Sequence, residues 1–202
     1  MSWRFFNEIG RKIIHITILI VLWVHFLIQS AMAEKGYSAA LSKQVALLFL
    51  LALLLVFLIL EYLRLEMGWK MPFFSQFIRP KEEYRMYGVV YFLSATIISL
   101  AVFEKNIALA ALLMTTFGDM MAALVGKKFG TTLIYKNKTW AGFLAELGTN
   151  LMVCFFVLGN IYVILGMAFS ATIVETLVDE LDDNLIIPLF SGFVGQLILF
   201  SL

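Results

Sequence analysis

Residues 43–61 read KQVALLFLLALLLVFLILE, and no charged side chain lies between Lys43 and Glu61. A helix needs about 20 mostly apolar residues to cross the hydrocarbon core of a bilayer, and this stretch has that length. Its apolar residues are continuous, where a barrel strand would alternate. In lipid every backbone N–H and C=O must be satisfied within the segment, which a helix does. The stretch therefore predicts a transmembrane helix.

Six further apolar stretches flank it, at 13–33, 86–103, 106–126, 140–159, 161–178 and 185–202. The expected fold is all-α, a polytopic transmembrane bundle of about seven helices, with residues 1–202 forming one catalytic domain. Composition supports this. The chain has 202 residues, 62% hydrophobic and 14% charged, with a mean hydropathy of +0.94. A soluble domain carries about 25% charged residues because its surface must face water. The net charge of +1 excludes a general polyanion binder, so no nucleic-acid partner is expected. The lone cysteine, Cys154, lies in an apolar run and reads as packing. Gly159-Asn160 makes a short turn between two spans, and Pro188 is expected in the opening turn of the last, where its missing N–H costs little.

Arg4, Arg11 and Lys12 precede the first span, and Ala31-Met32-Ala33 looks like a signal-peptide cleavage site. The length of the apolar stretch, with Trp23 and His25 inside it, favours a retained helix. Lysine and arginine placement sets the orientation. With the N-terminus cytosolic, the basic segments 62–85 and 127–139 also fall in the cytosol. The opposite turns carry only Lys35, Lys43 and Lys105. Every unusual polar cluster then lies on one face of the membrane, facing the cytosol, and charges at such depths are expensive and usually functional.

Four clusters matter. Asp119 follows the apolar stretch 108–117, and Ala122, Gly126 and Gly130 continue its helical stripe. Small residues there allow close approach, either of a ligand or of another helix. In Lys136-Asn137-Lys138-Thr139-Trp140-Ala141-Gly142, basic residues run into Thr139, a good N-cap. A helix N-terminus beside lysines suits phosphate, although a positive-inside flank would look similar. Glu175, Asp179, Glu180, Asp182, Asp183 and Asn184 supply oxygens of the kind Mg²⁺ prefers alongside substrate phosphates. Asp183 or Asn184 would also serve as caps of the last helix. Arg11, Lys12 and His15 share the cytosolic end of the first helix. His25 lies deep and reads as structural, while Trp69, Phe73, Phe74 and Phe77 read as interfacial anchors.

Basic groups, a phosphate-binding helix end and carboxylates at a lipid–water boundary fit phosphoryl or nucleotidyl transfer, where catalysis is positioning and charge neutralisation. No GxxxxGK[ST] loop is present, which argues against a P-loop ATPase.

The pattern Asp119-x-x-Ala122-x-x-x-Gly126-x-x-x-Gly130, then Asn137-Lys138-Thr139-x-x-Gly142, resembles the nucleotide signature of the CTP-dependent polyprenol kinases. That family includes dolichol kinase, phytol kinase and CTP-dependent diacylglycerol kinase, and it is related to the phosphatidate cytidylyltransferases. Arg11-Lys12-x-x-His15, Arg79-Pro80-Lys81-Glu82, and Glu175 followed by Asp182-Asp183-Asn184-Leu185 and Pro188 extend the match. Ala141 stands where the dolichol kinase form has a glutamate. The resemblance implies transfer of the γ-phosphate of CTP to a membrane lipid alcohol. It implies that Lys136, Lys138 and Thr139 hold the phosphates, with Gly126, Gly130, Gly142, Asn184 and Arg79 completing the nucleotide site. Asp119, with Glu175 or the pair Asp182 and Asp183, would hold Mg²⁺. His15, Asp119, Asp182 and Asp183 are the candidate general bases. A cytidylyltransferase making a CDP-activated lipid is the alternative. A small transporter fits less well, because transporter sites lie near the midplane between repeats. So small a bundle is compatible with a homodimer.

Overall fold

The computed structural model describes residues 3–68, 85–178 and 180–202, with side chains from residue 19 onward. Among these residues the chain forms α1 (Trp3–Glu34), α2 (Ala39–Met67), α3 (Gly88–Val102), α4 (Lys105–Phe129), β1 (Leu133–Tyr135), β2 (Lys138–Thr139), α5 (Trp140–Val157), α6 (Ile161–Leu177) and α7 (Asp183–Ser201). Each apolar stretch read from the sequence falls on one helix. The chain is an all-α helical bundle of integral membrane type. Helices α2, α4, α5 and α7 are long and apolar enough to cross a membrane, and the apolar stretches Leu19–Glu34, Gly88–Val102 and Ile161–Leu177 are shorter. Large apolar side chains point outward, as lipid allows: Phe155, Phe156 and Phe200 are 70%, 79% and 80% exposed. The chain divides into two compact units, Met1–Leu93 and Ser94–Leu202.

In the first unit, α1 packs against α2. The turn between them is a Schellman motif, in which Gly36 N–H donates to Ala33 C=O (2.9 Å) and Tyr37 N–H to Met32 C=O (3.2 Å). Gly36 has φ 83, a left-handed backbone that only glycine adopts freely. Ser38 then caps α2, accepting from Leu41 N–H. His25 is buried, with Nε2 2.8 Å from Gln29 Nε2. Glu61, expected to close a span, instead lies within a helix that continues to Met67. Its buried carboxylate is gripped by Arg64, Nη2 at 2.6 Å and Nε at 3.2 Å, and accepts from Tyr87 N–H at 3.3 Å. The bidentate pair makes burial of this charge tolerable. Arg64 also donates to Arg85 C=O at 2.6 Å and lies 3.9 Å over the Tyr87 ring, tying the start of α3 to the end of α2.

In the second unit, α4 packs against α5, α6 and α7. Its inner face is built from Ala108, Ala110, Ala111, Thr115, Thr116 and Gly118, all buried. Small residues let membrane helices approach closely, where hydrophobic burial gives no drive. Thr115 and Thr116 donate their hydroxyls to Ala111 and Leu112 C=O, so neither leaves an orphan in the apolar interior. The same logic holds on the other helices: a Cβ on Gly195 would fall 2.4 Å from Met167 Sδ, and one on Gly192 2.4 Å from a carbon of the Phe103 ring. Cys154 is buried and donates to Met114 Sδ at 3.2 Å. Asn160 caps α6, closing the expected turn at Gly159-Asn160.

Two expectations are corrected. Helix α7 starts at Asp183, so Pro188 is inside the helix rather than in its opening turn. Its missing N–H removes the bond that Asn184 C=O would otherwise accept. The cap of α7 is Asp182, which accepts from Asn184 N–H at 3.1 Å and from Asn184 Nδ2 at 2.8 Å; neither Asp183 nor Asn184 takes that position. The basic segment 127–139 ends α4 and then forms the β1–β2 hairpin.

Candidate functional site

The second unit brings four helix ends together. The C-terminal parts of α4 and α6 meet the N-terminal parts of α5 and α7, which is how alternating spans gather clusters far apart in sequence. The hairpin is wedged among them. Strands β1 and β2 pair antiparallel, Leu133 opposite Thr139 and Tyr135 opposite Lys138. The two residues between them make the tight turn, and Lys136 has φ 47. A positive φ at the first central position is what a primed hairpin turn requires. Strand β2 runs straight into α5: Thr139 is its last residue and also the N-cap of the helix, its Oγ1 accepting from Gly142 N–H at 3.2 Å.

The glycines of the sequence motif close around Thr139. A Cβ on Gly130 would lie 2.3 Å from Gly126 C=O oxygen and 2.5 Å from Thr139 Oγ1. A Cβ on Gly142 would lie 3.0 Å from Ala122 oxygen and 3.4 Å from Gly126 Cα. The close approach expected at Gly126, Gly130 and Gly142 is thus made by the protein itself, between α4 and the start of α5. Gly130→Ala is expected to push Thr139 off α4 and to cost about 2 kcal/mol, read as a lowered midpoint of thermal unfolding in detergent. An unchanged midpoint would show that the hairpin yields without strain.

Lys138 reaches from β2 to form an ion pair with Glu175 of α6. The lysine side chain is 33% exposed and the glutamate 5%. Burial acts to lower the Lys138 pKa, but Glu175, through charge and hydrogen bond, and then Asp183 and Asp119, outweigh it and hold the pKa above its ordinary value. Lys138 is therefore cationic across the neutral range. Asp119 is half-buried on α4, and Asp183 half-buried on α7. Three carboxylates from three helices, Asp119, Glu175 and Asp183, act on one ammonium group.

Beneath this pair the polar groups continue into the helices. Glu146, seven residues into α5 and so about 10 Å below the cap, is 1% exposed, and its carboxyl faces that of Glu175. One Glu146 oxygen accepts weakly from Asn150 Nδ2 at 3.5 Å. The other has no hydrogen-bond donor among the described residues. Asn150 Nδ2 also donates to Thr172 Oγ1 at 3.0 Å. That hydroxyl spends its own proton on Ala168 C=O, so it can only accept, which fixes the orientation of the amide. Asn150 Oδ1 then faces α4, where a Cβ on Gly118 would fall 2.3 Å from it. The α-hydrogen of Gly118 takes that place, a weak C–H···O contact.

Of the other sequence candidates, Lys136 is exposed at the hairpin turn, with Nζ 5.2 Å from the Tyr135 ring centroid. Asp182 serves as a cap, and Asn184 is buried against it. Arg79 and Asp179, and the side chains of Arg11, Lys12 and His15, lie outside the described residues. Among the described residues no group of three or more His, Cys, Asp or Glu side chains is placed to hold a metal ion by itself. Magnesium usually takes phosphate and water ligands and needs only one or two carboxylates from protein. Asp119 and Asp183 are oxygen donors of the kind that smaller requirement calls for, and Glu175 pairs with Lys138.

The chain is 27% identical over 159 residues to the CTP-dependent diacylglycerol kinase 1 of Saccharomyces cerevisiae, an overlap of 73% of this chain and 49% of that protein. It is 32% identical over 141 residues to a probable chloroplastic phytol kinase of Zea mays, covering 60% of this chain and 46% of the relative. The CTP-dependent diacylglycerol kinase 1 of Schizosaccharomyces pombe is 29% identical over 141 residues, 60% of this chain and 65% of that one. The chain is thus similar in sequence to proteins named as CTP-dependent diacylglycerol kinase and as phytol kinase. It spans about half the length of the first two of these relatives. No family model and no solved structure matches it.

Sequence reading missed Glu146 and Asn150. A signal was present. An acid inside an apolar run is costly in a membrane, and an amide four residues on shares its helical face.

Proposed function

We propose that this chain is a CTP-dependent kinase that transfers the γ-phosphate of CTP to the hydroxyl of a membrane lipid alcohol of the polyprenol, phytol or diacylglycerol type. The observation that carries the reading is the convergence of Lys138, Asp119, Glu175 and Asp183 where the hairpin enters α5. It stands in a chain related to proteins named as CTP-dependent diacylglycerol kinase and phytol kinase.

Lys138 and Lys136 supply positive charge to the triphosphate. The positive end of the α5 dipole lies at the same place. Thr139 fixes where that end lies, because it caps α5 while packed against Gly126 and Gly130. Gly142 keeps the first turn close to α4, and Asn184 would complete the nucleotide site at the start of α7. Glu175 keeps Lys138 charged and aimed. Asp119 and Asp183, with Asp182 beside them, are the carboxylates that would hold Mg²⁺. When bound, the ion neutralises phosphate charge as the phosphoryl group moves. The lipid hydroxyl attacks phosphorus in line, its O–P bond forming as CDP leaves. Its proton goes to a base among Asp119, Asp182 and Asp183. The positive-inside distribution of Lys and Arg supports a cytosolic site, where CTP is available.

The test is the fate of label. With purified protein in detergent and a panel of lipid alcohols, label on the γ-phosphate of CTP is expected in lipid, and label on the α-phosphate is not. Transfer of the α-label to phosphatidate would make the chain a cytidylyltransferase, and transfer of neither would remove both readings.

A further inference from the structure

The hairpin carries a surface that nucleotide binding does not use. Leu133 and Tyr135 alternate onto one side of β1 and are 61% and 40% exposed. Phe129, at the end of α4, is exposed as well. Lys127 and Lys128 are exposed on the turn before it, Lys128 Nζ lying 5.1 Å from the Phe129 ring centroid. The level of this patch relative to the bilayer is fixed by Trp140. That residue opens α5 and is exposed on the same stripe as Leu144, four residues on. Its backbone N–H donates to Thr132 C=O at 3.1 Å, joining it to the residue before β1. A tryptophan at the end of an outward-facing apolar stripe marks the membrane–water interface. Exposed apolar side chains and lysines therefore meet at headgroup height. A water-facing loop would gain nothing from an exposed leucine, tyrosine and phenylalanine together.

We propose that the β1 face of the hairpin, with Phe129, Lys127 and Lys128, docks on the leaflet surface and binds acidic phospholipid headgroups. The apolar side chains enter the boundary between headgroup and acyl chain. The two lysines, which can snorkel upward, meet the anionic phosphates. Because β2 pairs with β1 and continues into α5, this docking holds Lys138 and Thr139 at the lipid surface. The inference does not depend on the catalytic reading.

Full-length protein is placed in nanodiscs of phosphatidylcholine mixed with phosphatidylglycerol, and the lipids retained on release are counted by native mass spectrometry. Wild-type protein is expected to retain phosphatidylglycerol preferentially. K127Q/K128Q is expected to lower that preference about thirtyfold, since both basic groups near the anionic surface are lost. L133S/Y135S is expected to lower retention of both lipids. K105Q, at the opposite end of α4, is expected to change nothing. The proposal is overturned if wild type shows no preference, if K127Q/K128Q keeps it, or if K105Q abolishes it equally. Displacement of the phosphatidylglycerol by added CTP would also overturn it, by assigning these lysines to the nucleotide.

Discussion

Lys138→Ala is expected to remove CTP-dependent transfer almost entirely, by about a thousandfold or more, and to destabilise the protein as well. The two effects have different causes. The loss of transfer follows from removing the cation placed beside the α5 N-terminus. The loss of stability follows from leaving Glu175, 5% exposed, without its partner. Breaking a buried pair typically costs about 3–5 kcal/mol, and the one-third exposure of Lys138 places this case at or below the lower end. The double variant Lys138→Met/Glu175→Gln separates them. It removes both charges, so its unfolding midpoint in detergent is expected to return toward wild type while transfer stays absent. Recovered transfer in the double variant would show that Lys138 serves only the fold.

Asp119→Asn is expected to match that loss of transfer with little loss of stability. The amide keeps the shape of the carboxylate, and Asp119 is only half-buried. It is the last and smallest of the influences raising the Lys138 pKa, so Lys138 stays cationic without it. What the variant removes is an oxygen ligand suited to magnesium and a negative charge beside the phosphates. Transfer at saturating magnesium and CTP, measured with the CTP affinity, distinguishes the outcomes. Near-normal transfer would take Asp119 out of the site. Lost transfer with retained affinity is the expected result.

The helices were legible because a bilayer enforces its own ruler. Runs such as 43–61 have the length that about 30 Å of hydrocarbon demands, and each became a helix. Charge marked where spans end but misjudged where helices end. Glu61 reads as a boundary, yet α2 passes through it because Arg64, one turn on, neutralises it. The hairpin was invisible to periodicity, since strands of three and two residues hold too little alternation to detect. Thr139 was legible as a cap because its role is local. Asp182 was not, because three neighbouring side chains could each have capped α7 and only the path of the chain decides. Glu175 could be singled out, but its partner could not: Lys138 lies 37 positions away, and only the meeting of a hairpin with the end of α6 joins them. Glu146 and Asn150 were hidden by the apolar residues around them, which set the character of 140–159 as a span.

The chain of contacts from Lys138 through Glu175 and Glu146 to Asn150 and Thr172 constrains how this protein can drift. Each member leans on the next inside an apolar medium, so replacing one strands its neighbour. Descent with modification should therefore change these positions in correlated sets: a lineage that swaps Glu146 for an apolar residue should carry a matching change at Asn150 or Glu175. Gly118 joins the same set, because any larger residue there collides with the Asn150 amide.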